Sequence, residues 1–313
     1  MSVRPETRPA LAKAPARAAP QSPWAKARER LGWLLVTPTI LAIAIVALYP
    51  LIRVFYLSLT NARLGSTREP RLIGLANYAV TLRDPLFQTA LSHTLVFTIV
   101  TVLLETIFGL GIALIIHSNF RGRGAVRAAM LIPWAIPTVV SSRMWAFMFN
   151  DVSGVFNDIL VTRLHLLPAK VAWIANPATA LPAVIAVDIW KTTPFMALLL
   201  LAGLQVIPSD IYEAAWVDGA NKLQQFWTMT LPLLRPALMV ALIFRTMDAF
   251  RVFDMPFVIK GTAPETITLG IYARQQLIDF QKLGQGSAIS VIIFLVIVVF
   301  VIIYTRLLRV EEA

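Results

Sequence analysis

An all-helical membrane protein with six transmembrane helices is the fold class this sequence predicts, and three observations predict it. Hydrophobic residues make up 58% of the 313 residues and charged residues only 14%, against about 25% charged in a soluble domain. The apolar residues fall into six runs, each long enough to cross a hydrocarbon core of about 30 Å, which takes about 20 residues of helix. Backbone polar groups in lipid must bond within their own segment, and the alternating pattern of a barrel is absent, so the runs are read as helices.

Residues 1–30, rich in Ala, Pro and Arg, offer no packable apolar face and read as a disordered basic tail. A signal peptide is the rival reading. It is disfavoured because the next run, Trp33 to Ile52, has full spanning length and no small-x-small cleavage site. The six spans fall at about 31–59, 89–117, 126–149, 178–206, 232–258 and 285–307. No soluble domain fits between them, so 31–309 reads as one transmembrane domain, interrupted by a polar segment at 207–231.

Lys and Arg set the orientation, because loops on the cytoplasmic side accumulate them. Arg4, Arg8, Lys13, Arg17, Lys26, Arg28 and Arg30 precede the first span, Arg121, Arg123 and Arg127 follow the second, and Arg306 and Arg309 end the chain. An even number of spans then puts both termini in the cytoplasm. Arg63, Arg68, Arg71 and Arg83, in the first outer loop, run against this signal without reversing it.

The net charge of +11 does not indicate nucleic acid, since the basic residues flank spans and no aromatic-basic stacking surface accompanies them. "FRGRGAVR" reads as a turn with flexible glycines. There is no cysteine, which removes disulfides, thiolate metal sites and Cys nucleophiles. The three histidines, His93, His117 and His165, are scattered, so no metal site is expected. No G-x-x-x-x-G-K-[ST], H-E-x-x-H or G-x-S-x-G occurs, so the chain has neither a P-loop of its own nor an enzymatic signature.

Between the fourth and fifth runs the chain reads "EAAWVDGANKLQQFWTMTLPLLRP", Glu213 to Pro236. Pro208 and Ser209 start a short helix with Asp210 and Glu213 in its first turns, where acidic groups suit the positive helix end. Gly219 supplies the left-handed residue that ends it, and Ala214, Ala215 and Ala220 keep it thin. A second short helix carrying Phe226, Trp227 and Met229 is expected before Pro232 starts the fifth span. Small side chains let another backbone approach closely, so a docking element is one reading of this segment. An amphipathic connector lying among headgroups is the other.

The order "EAA", three residues, Gly219, nine residues, "MTLP" resembles the signature loop of binding-protein-dependent ABC importer permeases, EAA-x3-G-x9-I-x-L-P, with Met229 where that pattern has Ile. "WKTTPFMALLLLAGLQVIPSDIYEAA", "LIFRTMDAFRVFD" and "GQGSAISVIIF" are similar to the sugar permeases of the maltose and trehalose type, in particular the first permease subunit of the pair. The resemblance covers nearly all six spans. It implies a type I ABC importer permease fold in a bacterial inner membrane, and a sugar as cargo, such as trehalose or maltose. It also implies three protein partners, a second permease subunit, a dimeric cytosolic ATPase and an extracytoplasmic solute-binding protein. ATP and Mg would sit on the ATPase, with no cofactor on this chain. Carried over residue by residue, Glu213, Ala214, Ala215, Asp218, Gly219 and Ala220 would couple to the ATPase, with 207–231 as the coupling loop and Pro232 chiefly a helix start.

Ionisable residues within spans are costly and face a cavity or a partner. At about 1.5 Å per residue, Glu105, Arg143, Lys191, Arg245 and Asp248 lie at one depth, with Asp188 and Arg251 slightly higher and Asp254 nearer the outer surface. One layer from four spans points to a polar chamber in which a sugar's hydroxyls find partners. Trp145, Trp190, Phe195 and Phe250 are candidates to stack on its ring. The alternative is that the charges pair to fix helix packing, Asp188 with Lys191 and Asp248 with Arg245 or Arg251. The excess of Arg143, Arg245 and Arg251 would also suit glycerol phosphate or another polyol. Glu105, Asp188 and Asp248 would suit an ion-driven secondary transporter, although the internal repeats with broken helices common in such folds are not found. A membrane anchor without transport leaves the polar layer unexplained.

Overall fold

A computed structural model describes residues 23–307. Arg4, Arg8, Lys13 and Arg17 of the expected tail, and Arg309, lie outside the described residues. α1 (Pro23–Ile43) passes through a π-helical stretch into α2 (Tyr49–Ser58), and Ala27–Ser58 forms one 32-residue apolar helix. The tail expected over 1–30 is therefore corrected at its end, because residues 23–30 open α1. Pro23 suits a first helical position and Ala25 to Arg30 are strong helix formers, so the helix extends back from the span. The chain divides after Arg53 into two units, and the second, from Val54 onward, holds the remaining helices.

α3 (Ala76–Arg83) leads to α4 (Pro85–His117). Asp84 fixes the start of α4, its carboxylate accepting from Leu86 N at 2.8 Å with Pro85 in the first turn. The 33 residues of α4 extend roughly 50 Å, longer than the membrane core.

The run expected as one helix over 126–149 is broken, which corrects that reading. α5 (Arg123–Met130), α6 (Ile132–Ala135) and α7 (Thr138–Met148) replace it, with a bend of 87° between the halves. Pro133 and Pro137 cause this. Each proline removes a donor; Pro133 sits in the first turn of α6 and leaves Ile132 helical, whereas Pro137 drives Ile136 out of the helical region, with ψ of 131°. α8 (Val155–Asn157) and a π-helical turn follow in the loop.

α9 (Pro177–Val206) starts on an Asn176 cap, with the side chain accepting from Ala178 N at 3.0 Å. α10 (Ser209–Val217) and α11 (Lys222–Gln225) precede α12 (Leu231–Phe250). The second short helix expected before the fifth span is not separate. A π-helical turn, Phe226–Thr230, carries α11 into α12, and Lys222–Lys260 counts as one 39-residue apolar helix. Neither Gly nor Pro interrupts 222–231, so nothing breaks the helix there. α13 (Asp254–Lys260), α14 (Leu269–Arg274) and α15 (Leu283–Leu307) complete the fold.

α9 packs along α4, α12 packs against both, and α15 lies against α12 and α14. Met196, Leu200, Leu204 and Leu234 fill one part of the interior, Phe97, Val184, Val187 and Ala249 a second, and Phe87, Phe250, Ile267, Tyr272 and Ile289 a third. Polar groups interrupt this interior at one level, where α4, α9 and α12 meet.

Candidate functional site

Arg245 of α12 is buried at that junction with its side chain only 2% exposed. A bare guanidinium there would be costly, and three carboxylates surround it. Nε donates to Glu105 Oε2 at 2.5 Å and Nη2 to Glu105 Oε1 at 3.0 Å. Nη2 also donates to Asp188 Oδ2 at 3.0 Å, and Nη1 to Asp248 Oδ2 at 2.6 Å. The planar fork of donors suits this arrangement, because one cation engages acids on α4, α9 and its own helix. The Thr192 hydroxyl lies against Glu105 and against the Asp188 carbonyl.

Beside this cluster opens a cavity of about 650 Å³, lined on one side by the break between α6 and α7 and on the other by the C-terminal end of α12. Asp188, Lys191, Arg245, Asp248, Arg251 and Asp254 reach it. Lys191 does not pair with Asp188 as the spacing allowed. Its Nζ donates to Ile136 O at 2.5 Å, a carbonyl left without a helical partner by the break. Irregular backbone in a membrane protein is tolerated where it lines a cavity, and here it does so.

Of the pairings the spacing allowed, Arg245 with Asp248 forms, whereas Arg251 donates from Nε to Met247 O and leaves Asp248 alone. Arg143, expected in the same layer, is exposed, lies off the cavity and makes no ion pair among the described residues.

The aromatic candidates separate in the same way. Trp145 packs on Phe149 and Phe156 and meets Trp190 edge-on at 5.2 Å, so both tryptophans belong to an internal aromatic cluster. Phe250 is fully buried against Phe300. Phe195 stacks on Trp134 at 5.7 Å with 13° between the rings, and it is Trp134, 48% exposed, that lines the cavity. Sequence reasoning missed Trp134. Its signal is "IPWAIP", where an aromatic residue sits between two prolines.

The segment between α9 and α12 is built from local bonds. α10 closes with Gly219 N donating to Trp216 O at 3.0 Å and Ala220 N to Ala215 O at 2.9 Å, a Schellman closure that needs a left-handed residue. Gly219 supplies it with φ of +79°. Asn221 and Gln224 then form a reciprocal capping box that starts α11. Gln225 Nε2 donates to Ala220 O, and the Tyr212 hydroxyl meets Thr230 Oγ1, which ties the turn to the base of α12.

Glu213, Ala214, Asp218 and Gly219 are exposed, Ala220 is half-buried, and Ala215 is buried against the turn. Trp216, Val217, Leu223 and Trp227 are exposed around them, with values from 60% to 80%. The sequence reading names Trp227, as part of a second short helix, and passes over Trp216, Val217 and Leu223 as contact residues. An apolar patch rimmed by Glu213 and Asp218 is the composition of a protein-docking surface.

The family model described as "Binding-protein-dependent transport system inner membrane component" matches residues 105–310. The chain is 43% identical to the trehalose/maltose transport system permease protein MalF of Thermococcus litoralis over 289 residues, 91% of this chain and 96% of that one. It is 39% identical to the trehalose transport system permease protein SugA of Mycobacterium tuberculosis, over 90% of this chain and 89% of that one. It is 38% identical to the sulfoquinovosyl glycerol transport system permease protein SmoG of Agrobacterium fabrum, over 92% and 94% respectively. A chain in the crystal structure of a bacterial ABC transporter for import of the acidic polysaccharide alginate superposes with a TM-score of 0.78. At 22% identity over 93% of this chain and 99% of that one, this likeness bears on the fold.

Proposed function

Because the chain belongs to the family of binding-protein-dependent transport system inner membrane components, we propose that it is the first permease subunit of an ATP-driven importer that carries an α-linked glucose disaccharide, trehalose or maltose, into the cell. The observation that carries the reading is the Glu213–Pro232 segment, whose spacing resembles that of the family loop and whose turn is capped by Gly219 among exposed apolar residues. The identity to the trehalose/maltose and trehalose permeases supports the cargo.

The chain crosses the inner membrane six times with both termini in the cytoplasm, and residues 207–231 face a dimeric ATPase. ATP and Mg reside on that ATPase, and this chain holds neither. A second permease subunit completes the path, and an extracytoplasmic binding protein delivers the sugar. Closure of the ATPase dimer pulls the coupling segment. The tied turn transmits the pull because Gln225 and Tyr212 connect it to the base of α12. α12 in turn carries Arg245, so the pull reaches the junction of α4 and α9. Trp134 offers the ring face for the sugar, and Asp248, Lys191 and Arg251 offer groups to its hydroxyls.

A phosphate-bearing cargo is the second reading, for which the excess of arginines argued. Arg245 is shared among three carboxylates and Arg143 lies off the cavity, so of the three arginines only Arg251 reaches the cavity without a carboxylate partner among the described residues, which favours a neutral sugar over a phosphate. The ion-driven secondary transporter gives way to the family membership. The test is ATP hydrolysis in liposomes holding the chain with its genomic-neighbour permease, ATPase and binding protein, comparing trehalose, maltose and glycerol phosphate. Stimulation by trehalose or maltose is expected. ATP-independent uptake without assembly would overturn the reading.

A further inference from the structure

The loop after the first span holds an anomaly. Outer loops tend to be poor in Lys and Arg, yet this one carries Arg63, Arg68 and Arg71 against a single Glu69. All three arginines are exposed, and none makes an ion pair among the described residues.

The loop is also rigidly built. Thr60 and Leu72 form an antiparallel bridge, Asn61 N donates to Arg71 O at 3.1 Å, and Arg71 N donates to Asn61 Oδ1 at 2.7 Å. Its base is fixed by Asn77, whose Nδ2 donates to both Ser58 O and Thr60 O at 2.8 Å. Its flank is fixed to the segment that opens α15. Leu64 N donates to Gln281 O at 2.9 Å, and Gly284 N donates to Ala62 O at 3.0 Å. A Cβ at Gly284 would come within 2.1 Å of Thr60 O, so only glycine lets the two segments meet. The exposed Lys282 beside this joint adds a further cation.

We propose that this pinned loop, Asn61–Arg71 with Lys282, is a basic platform that docks an acidic face of the solute-binding protein. The inference rests on the importer reading, which puts the loop on the outer side, at the opposite end of the spans from residues 207–231. Charge complementarity steers encounter and fixes orientation. Pre-ordering the loop lowers the entropy lost when a shaped partner docks. Anionic lipid headgroups are a fluid, featureless partner that polybasic segments reach without a fixed tip, so rigidity favours the protein.

The test titrates the binding protein encoded beside the chain, loaded with trehalose, onto the assembled transporter in nanodiscs of phosphatidylcholine or phosphatidylglycerol, at low and high ionic strength. The readout is stimulated ATP hydrolysis. In the variant carrying Arg63→Gln, Arg68→Gln and Arg71→Gln, the concentration of binding protein for half-stimulation rises roughly tenfold at low salt, the lower bound of steering effects. The maximal rate stays unchanged and most of the salt dependence disappears. The matching Arg→Lys variant keeps wild-type behaviour, because charge and not fork geometry does the steering. Equal half-stimulation in the Gln variant and wild type would overturn the platform. So would a Gln variant altered only in phosphatidylglycerol, which would assign the loop to lipid. If no binding protein stimulates the wild type, the importer reading itself fails, and the platform with it.

Discussion

Arg245 and Glu105 meet across α12 and α4 with Nε 2.5 Å from Oε2 and Nη2 3.0 Å from Oε1, and both side chains are almost wholly buried. This bidentate contact is the centre of the polar junction, since Asp188 and Asp248 attach to the same guanidinium. Removing one partner of such a buried group leaves uncompensated charge, which costs more than the pair itself contributes.

Arg245→Ala is therefore expected to lower stability by about 3–5 kcal/mol, because Glu105 and Asp188 lose their cation while still buried. Asp248→Asn should cost less than about 1 kcal/mol, since that carboxylate is 70% exposed and screened by solvent. Thermal unfolding of the purified assembly in detergent checks the ranking. Equal losses in the two variants would show that the junction is not organised around Arg245.

Gly219→Val places a β-branched residue at φ of +79°, a strain of about 1–3 kcal/mol that the short α10 has to absorb. No heavy atom lies within 4 Å of a Cβ built there, so the cost is conformational and not steric. Membrane insertion is expected to be unchanged while sugar-stimulated ATP hydrolysis is lost. Gly219→Asn should retain most of the activity, since Asn tolerates the left-handed region. Normal stimulation in the Val variant would remove the coupling role.

Trp134→Ala should reduce transport with little loss of stability, because the ring is half-exposed on the cavity. Phe250→Ala should do the reverse. Its ring is fully buried, and truncation costs about 3–5 kcal/mol through the cavity left behind. Uptake rate set against melting temperature for the two variants separates the roles. A destabilised but transport-competent Trp134→Ala variant would mean that the ring is only packing.

Tyr272 of α14 donates to Asp84 Oδ2 at 2.6 Å, which ties α14 to the residue that caps α4. Burial raises the phenol above its ordinary value of 10.0, and the bond to Asp84 raises it further. The neutral phenol is the form that the fold stabilises. Its contribution is complete below pH about 10 and is lost as the pH rises through the higher folded value. Tyr272→Phe should make stability less steep at alkaline pH, measured by unfolding across that range. An unchanged slope would show that another group controls it.

The spans were legible because apolar run length is a one-dimensional property. Five of the six appear as single apolar helices, and the third as a bent pair. The Gly219 turn was legible because its bonds join residues no more than five apart. Depth was legible too, since a fixed rise per residue put Glu105, Asp188, Arg245 and Asp248 near one level, and the structure brings these four together. Lateral direction was not. Arg143, expected at their level, is exposed and lies off the cavity, and Lys191 finds a carbonyl on another segment in place of the acid three residues before it.

The sequence by itself determined that this chain is a helical membrane protein, roughly where its six apolar runs lie, and which turn interrupts them. Each of these follows from hydropathy, backbone propensity and bonds between near neighbours. Tertiary structure alone decided which charge answers which and which aromatic ring faces the cavity. It also decided that the loop carrying Arg63, Arg68 and Arg71 is hydrogen-bonded to the segment that opens α15. Those outcomes depend on how helices rotate and lean against one another, which residue spacing along a single helix does not encode.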